Sequence, residues 1–247
     1  MAEEHFADRV AGVAALAEPV RRDLYLFVAA QPEPVGRDQA AEGVGVARHT
    51  AKFHLDKLVE EGLLVTEFRR LTGRQGPGAG RPAKLYRRAP GEVVVSLPER
   101  RYDLAGRLLA AAIEEATEQG TPVREALDRA AASFGASLGE QARAGRTARR
   151  PVHATRADLC GALATCGYEP RVDNDVVTLQ NCPFDTLARD HTDLVCGMSL
   201  ALVTAAADRL DERLAPRLEP HADRCCVVVG LGVDRAARRT GGATRGV

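Results

Sequence analysis

Six cysteines stand in the last third of this 247-residue chain, at Cys160, Cys166, Cys182, Cys196, Cys225 and Cys226. Thiols become nucleophiles, redox partners and soft metal ligands once they lose their proton. Their spacing narrows the choice. Thirteen residues lie between Cys182 and Cys196, and twenty-eight between Cys196 and Cys225. No CxxC pair is present, which argues against a zinc ribbon or a thioredoxin motif. Pro183 follows Cys182 and stiffens its turn, and a Cys-Pro step is common beside iron–sulfur clusters. The other chemical concentration is cationic. Between Phe68 and Gly91 stand Arg69, Arg70, Arg74, Arg81, Lys84, Arg87 and Arg88, with no acid among them. The chain carries 34 Lys plus Arg against 34 Asp plus Glu, so its net charge says nothing about an anionic partner. The local field of that segment does.

Positioning these groups requires elements, and the chain shows three stretches of different character. Val10, Val13, Leu16, Val20, Leu24, Phe27 and Val28 recur at helical spacing across Phe6 to Ala30, interrupted by Pro19. Two helices, or one kinked helix, are expected, with Pro19 opening the second. Arg37 to Gly43 reads as a short helix, Val44-Gly45-Val46 as a tight turn, and Ala47 to Glu61 as a longer helix ended by Gly62. Leu63 to Arg70 and Lys84 to Arg88 read as strands joined by the Gly/Pro-rich loop TGRQGPGAGRP. Helix, short helix, turn, helix and hairpin is the order of a winged helix-turn-helix. In that fold the second helix of the motif enters the major groove and the hairpin touches backbone or minor groove. Arg48, His49, Thr50, Lys52 and His54 on the helix, with Arg69, Arg70, Arg74, Arg81 and Lys84 on the wing, are the candidate contacts to double-stranded DNA.

The second stretch, 96–150, predicts helices over Tyr102–Glu118 and Val123–Ala144 and an Arg-rich exposed linker. It is expected to serve as linker and homodimer interface. In the third, 151–235, a helix at Arg156–Cys166 leads into strands at Glu169–Val172 and Val176–Gln180. A helix through Val195–Leu210 and a strand at Cys225–Val229 follow, giving a small α+β domain. Residues 236–247 have the composition of a disordered tail. The whole is expected to be mainly α with α+β parts, with a DNA-binding domain over 1–95. In this topology Cys182 ends a strand, Cys196 enters a helix and Cys225-Cys226 begin the last strand, so distant thiols can meet at one edge. Adjacent strand residues point to opposite faces, so only one of Cys225 and Cys226 can easily join such a site, and both are candidates.

No apolar run approaches twenty residues and no signal peptide is apparent, so a cytoplasmic protein with reduced thiols and no membrane contact is expected. There is no P-loop, nucleotide fingerprint or recognisable triad, and the chain is not expected to be an enzyme.

The run GVARHTAKFHLDKLVEEGLL followed by TGRQGPGAGRPAKLYRR resembles the winged helices of ArsR-type regulators, over about residues 15 to 90. It is most similar to the branch related to SufR, the repressor of iron–sulfur cluster assembly genes. Ala47 departs from that family's usual Ser-type N-cap, at a cost of about 1 kcal/mol if uncompensated. The later pattern, CPF, then LVCG, then a terminal cysteine before an apolar strand, is similar to the same branch over roughly residues 150 to 230. The resemblance implies a regulator whose cysteines hold an iron–sulfur cluster that alters DNA affinity. Its ligands would be Cys182, Cys196 and Cys225 (or Cys226), with the fourth open among His191, Asp190, Cys166 and a non-protein group. A zinc- or thiol-redox-sensing regulator is the alternative, since thiolate, imidazole and carboxylate also suit zinc. A small-molecule-binding or enzymatic module with nucleophilic cysteines is the more distant one.

Overall fold

The computed structural model describes residues 2–70, 82–144 and 150–232. Arg74, Arg81, the middle of the Arg-rich stretch and the expected tail lie outside the described residues. The chain divides into two compact units, Met1–Val95 and Ser96–Val247, each with its own apolar core.

In the first unit Pro19 separates two helices, α1 (Ala2–Ala15) and α2 (Pro19–Ala30). Proline at a first helical position loses no hydrogen bond, and Glu18 caps the helix by accepting from the amides of Val20 and Arg21. Next come β1 (Val35–Gly36), α3 (Arg37–Val44), α4 (Arg48–Glu60), β2 (Leu64–Arg69) and β3 (Ala83–Arg88). The turn between α3 and α4 depends on Gly45, whose φ of 73° is a left-handed conformation that side chains with a Cβ resist. Ala47 caps α4 with no side-chain hydrogen bond, as its type requires. β1 was not expected, because two residues carry no readable period. It exists through pairing alone, Val35 opposite Tyr86 and Gly36 opposite Leu85, which makes β3 the middle strand. Leu24, Val28, Ala51, Leu55, Leu58, Leu64 and Tyr86 fill this core.

The second unit contains α5 (Tyr102–Gln119), α6 (Val123–Arg143), α7 (Val152–Ala164), β4 (Pro170–Asp173), β5 (Val176–Leu179), α8 (Asp185–Asp190), α9 (Thr192–Leu210), β6 (Leu214–Leu218) and β7 (Val227–Leu231). Its antiparallel sheet has the order β4-β5-β7-β6. The turn from β4 to β5 uses Asn174 and Asp175 at φ 44° and 67°, the left-handed pair of a type I′ hairpin. Two elements went unforeseen. α8 is barely more than one turn, and β6 contains Pro216, which a strand tolerates here because β6 is an edge.

α9 is the axis of the second unit, burying Val195, Cys196, Met198, Ser199, Leu202, Val203, Ala206 and Ala207. α6 lies against it with glycines at the crossing. A Cβ on Gly135 would stand 2.0 Å from the Leu202 carbonyl oxygen, and one on Gly139 would stand 2.5 Å from that of Ala206. Leu104, Leu108, Leu127 and Leu138 share one core with Leu202, Val203 and Val229. The two helices expected as a linker are thus built into the body that carries the cysteines. The protein is mainly α, with a winged helix-turn-helix followed by an α+β region.

Candidate functional site

α4 buries Ala51, Leu55 and Leu58 against the first unit's core, and that choice fixes what the opposite side presents. Arg48, His49, Lys52 and Phe53 are exposed there, with Thr50 half-buried at the helix start. Phe53 is 64% exposed, and His49, Lys52, Phe53, Asp56, Lys57 and Glu60 line one open groove. Arg48 pairs with Asp38 of α3 at 2.5 Å while remaining largely in solvent. His54 is off this face. Its side chain is 12% exposed, and its Nδ1 lies 3.4 Å from both a Glu18 carboxylate oxygen and the Arg21 Nε. It ties α4 to the start of α2.

The wing is fastened to α4 through Asp56, which accepts from Lys84 Nζ at 2.6 Å and from the Tyr86 hydroxyl at 2.9 Å. Burial pushes the Asp56 carboxyl up, but these bonds and the neighbouring charges of Lys84 and Lys52 hold it below its usual range. Lys84 is therefore engaged in holding the hairpin to the helix. Arg69 pairs with Glu33 and Glu67, and Arg70 is exposed at the end of β2.

Cys182 lies in the loop between β5 and α8, three residues after the strand ends, rather than ending the strand as expected. Cys196 sits in the second turn of α9 and is 7% exposed. Cys225 and Cys226 precede β7, so the strand alternation on which the expectation of a single joining cysteine rested does not govern them. Cys225 is held by its amide bonding to the Leu179 carbonyl, and the Cys226 carbonyl accepts from Glu219. The thiols meet in two pairs. A hydrogen bond from Cys225 leads the influences on Cys182 and holds it below the ordinary thiol range despite burial, while the same bond, followed by burial, drives Cys225 far up. Cys196 is pushed up to about 12 by burial first and then by its bond and charge interaction with Cys226. Cys182 acts on Cys196, and Cys226 on Cys225, so the two pairs adjoin. Among the described residues no group of three or more His, Cys, Asp or Glu is arranged to hold a metal ion as it stands.

The other candidates stand apart. Cys160 is raised by burial, and Cys166, also raised by burial, has its sulfur 3.9 Å from the Thr165 hydroxyl. His191 and Asp190 are exposed at the junction of α8 and α9. Beside the thiols the fully buried Tyr168 hydroxyl bonds the Ser199 hydroxyl at 2.6 Å, one turn beyond Cys196.

Sequence reasoning missed the frame around Cys182. Asn181, 5% exposed, donates to the carbonyls of Glu99 and Gly167 at 2.8 and 2.7 Å. Arg100 donates to the Asn181 side-chain oxygen and to the Cys182 carbonyl, and pairs with Asp185. The Arg101 amide donates to the Pro183 carbonyl at 2.9 Å, and the Tyr102 hydroxyl to Thr186 at the same distance. Only the proximity of Asn181 to Cys182 in NCPFD hinted at it, since the partners are some eighty residues apart.

Residues 16–67 match the family model described as a helix-turn-helix domain. The chain is a DNA-binding transcriptional regulator. The match covers α2 through most of β2, and so includes the whole α3–turn–α4 motif and the exposed face of α4. No curated protein and no solved structure matches the regulator's chain. No helix among the described residues is long and apolar enough to cross a membrane.

Proposed function

We propose that this regulator binds its operator as a homodimer, with an affinity set by an iron–sulfur cluster held by Cys182, Cys196, Cys225 and Cys226. What supports the reading is the approach of Cys182 to Cys225 and of Cys196 to Cys226, thiols carried by three separate segments. The donor set suits the group: soft sulfurs, mostly buried, in two adjoining pairs. When bound, the cluster would supply a cross-link between the segments and a charge that depends on its redox state.

The chain's own residues supply the rest. Cys182 belongs to a loop whose neighbours, Asn181, Pro183 and Thr186, are bonded to Glu99, Arg100, Arg101 and Tyr102. That second segment starts four residues after the DNA-binding unit ends at Val95. Tying Cys182 to α9 and to the approach of β7 would therefore hold the loop bonded to Glu99, Arg100, Arg101 and Tyr102 at the start of the second unit. Two subunits reading two half-sites depend on the spacing of their α4 helices. A tenfold change in operator affinity needs only about 1.4 kcal/mol between two such states.

Anaerobic purification, or reconstitution with ferrous iron and sulfide, should give a coloured protein with stoichiometric iron and sulfide. Light scattering should give the mass of a dimer. Colourless, iron-free protein after reconstitution would sink the cluster reading and leave the DNA-binding one standing. The contact between Cys182 and Cys225 favours one second reading, a thiol switch. Peroxide would take two electrons from this pair, which loses two protons and forms a disulfide, while the peroxide is reduced to water. Mass spectrometry of the oxidised, alkylated protein separates the two readings.

A further inference from the structure

Phe53 is an unusual residue to leave in water. It is among the most exposed of the regulator's large apolar side chains, on a helix that has Leu55 and Leu58 fully buried. The ring belongs to neither core and meets the His54 ring edge-on at 5.1 Å, which still leaves most of it in solvent for a partner to cover. Its surroundings say what kind of partner. His49 lies one turn before it and Lys52 adjoins it, both exposed, and Arg48 is one residue beyond His49 on the same N-terminal half. The acid that follows, Asp56, has its charge taken up by Lys84 and a hydrogen bond from Tyr86. The groove that contains Phe53 thus has its acids, Asp56 and Glu60, toward one end and His49 and Lys52 toward the other, the end which a helix-turn-helix places against DNA. Within the major groove the one apolar feature among base edges is the C5-methyl group of thymine.

We infer that Phe53 is a specificity-determining residue that reads thymine methyl groups in the operator's major groove. The inference rests on the DNA-binding reading of α4. Arg48, His49 and Lys52 supply polar and charged contacts around it. Phe53 adds discrimination that no hydrogen bond from the helix could provide, since the methyl group offers none. Deoxyuridine in place of thymidine removes that methyl and nothing else on the base.

The test uses the full-length regulator and the tightest duplex it selects from a randomised pool. Each thymidine of that duplex is replaced in turn by deoxyuridine. Wild-type affinity should fall about fourfold at one or two positions per half-site, the worth of one buried methyl. Phe53→Ala should bind the thymidine duplex as weakly as wild type binds the deoxyuridine one, with no further loss on substitution. The slope of affinity against salt should be unchanged, because no phosphate contact is removed. A wild type indifferent to every uracil, or a Phe53→Ala variant with undiminished sensitivity, overturns the assignment. So does a Phe53→Ala variant whose subunit association changes while its DNA affinity does not, which would make the ring a protein contact. Failure to bind any duplex would instead overturn the DNA-binding reading itself.

Discussion

Cys226 is the residue whose role turns most on local geometry. In a strand it would point away from its neighbour; before β7 begins it meets Cys196 while Cys225 meets Cys182. Cys226→Ser should therefore lower the iron bound after anaerobic reconstitution as Cys182→Ser does, while Cys160→Ser and Cys166→Ser should leave it unchanged. Iron and sulfide assays on the four variants check this. A different residue carries the acid sensitivity of the second unit. Asp211 is held down to about 2, first by hydrogen bonds from Arg213, against burial, and further by the Thr155 hydroxyl at 2.9 Å. A carboxyl depressed in the folded state contributes stability above its unfolded pKa and loses it as pH falls through the folded one. Asp211 should thus contribute about 2 kcal/mol at neutral pH, fading between about pH 4 and pH 2. Denaturation of wild type and Asp211→Asn across that range should show the difference closing as pH falls.

At the scale of elements, the crossing of α6 over α9 is the contact with least room. A Cβ on Gly135 meets backbone, which cannot rotate away. Gly135→Val should cost about 1–3 kcal/mol, and Gly106→Ala on the open side of α5 should be neutral or slightly stabilising. Thermal melts of the two variants make the comparison. Elements with a long period were legible in the chain: α2, α4, α5, α6 and α9 each repeat apolar residues often enough to show a face. β1, α8 and β6 were not: a two-residue strand owes its existence to β3, some fifty residues on, a single turn has no period to read, and Pro216 interrupts the strand pattern of β6. The candidate site divides in the same way. The exposed cations of α4 follow from its buried stripe, and the order of elements carried the expectation that distant cysteines could approach one another. That Cys226 faces Cys196 while Cys225 faces Cys182 depended on where β7 starts. His54, two residues from Lys52, turns instead to Glu18 and Arg21 at the start of α2, a contact between helices that no local pattern shows. The hold of Arg100 and Asn181 on the Cys182 loop spans some eighty residues, and no local pattern carries it.

For the whole molecule, a DNA-binding face and a thiol site on one chain matter only if one answers to the other. A regulator with zero net charge should still bind DNA with strong salt dependence, because its cations are concentrated on α4 and the wing. Lys52→Ala should flatten that dependence by about one unit per subunit, measured by titrating a selected duplex at several salt concentrations. The coupling is tested most directly by one measurement: the affinity of anaerobically reconstituted protein for its selected duplex, against the same protein stripped by a chelator and against Cys182→Ser. The account predicts a change of tenfold or more on stripping, with Cys182→Ser behaving as stripped protein whether or not iron and sulfide are supplied. Equal affinities for all three, with iron bound in the first, would contradict it.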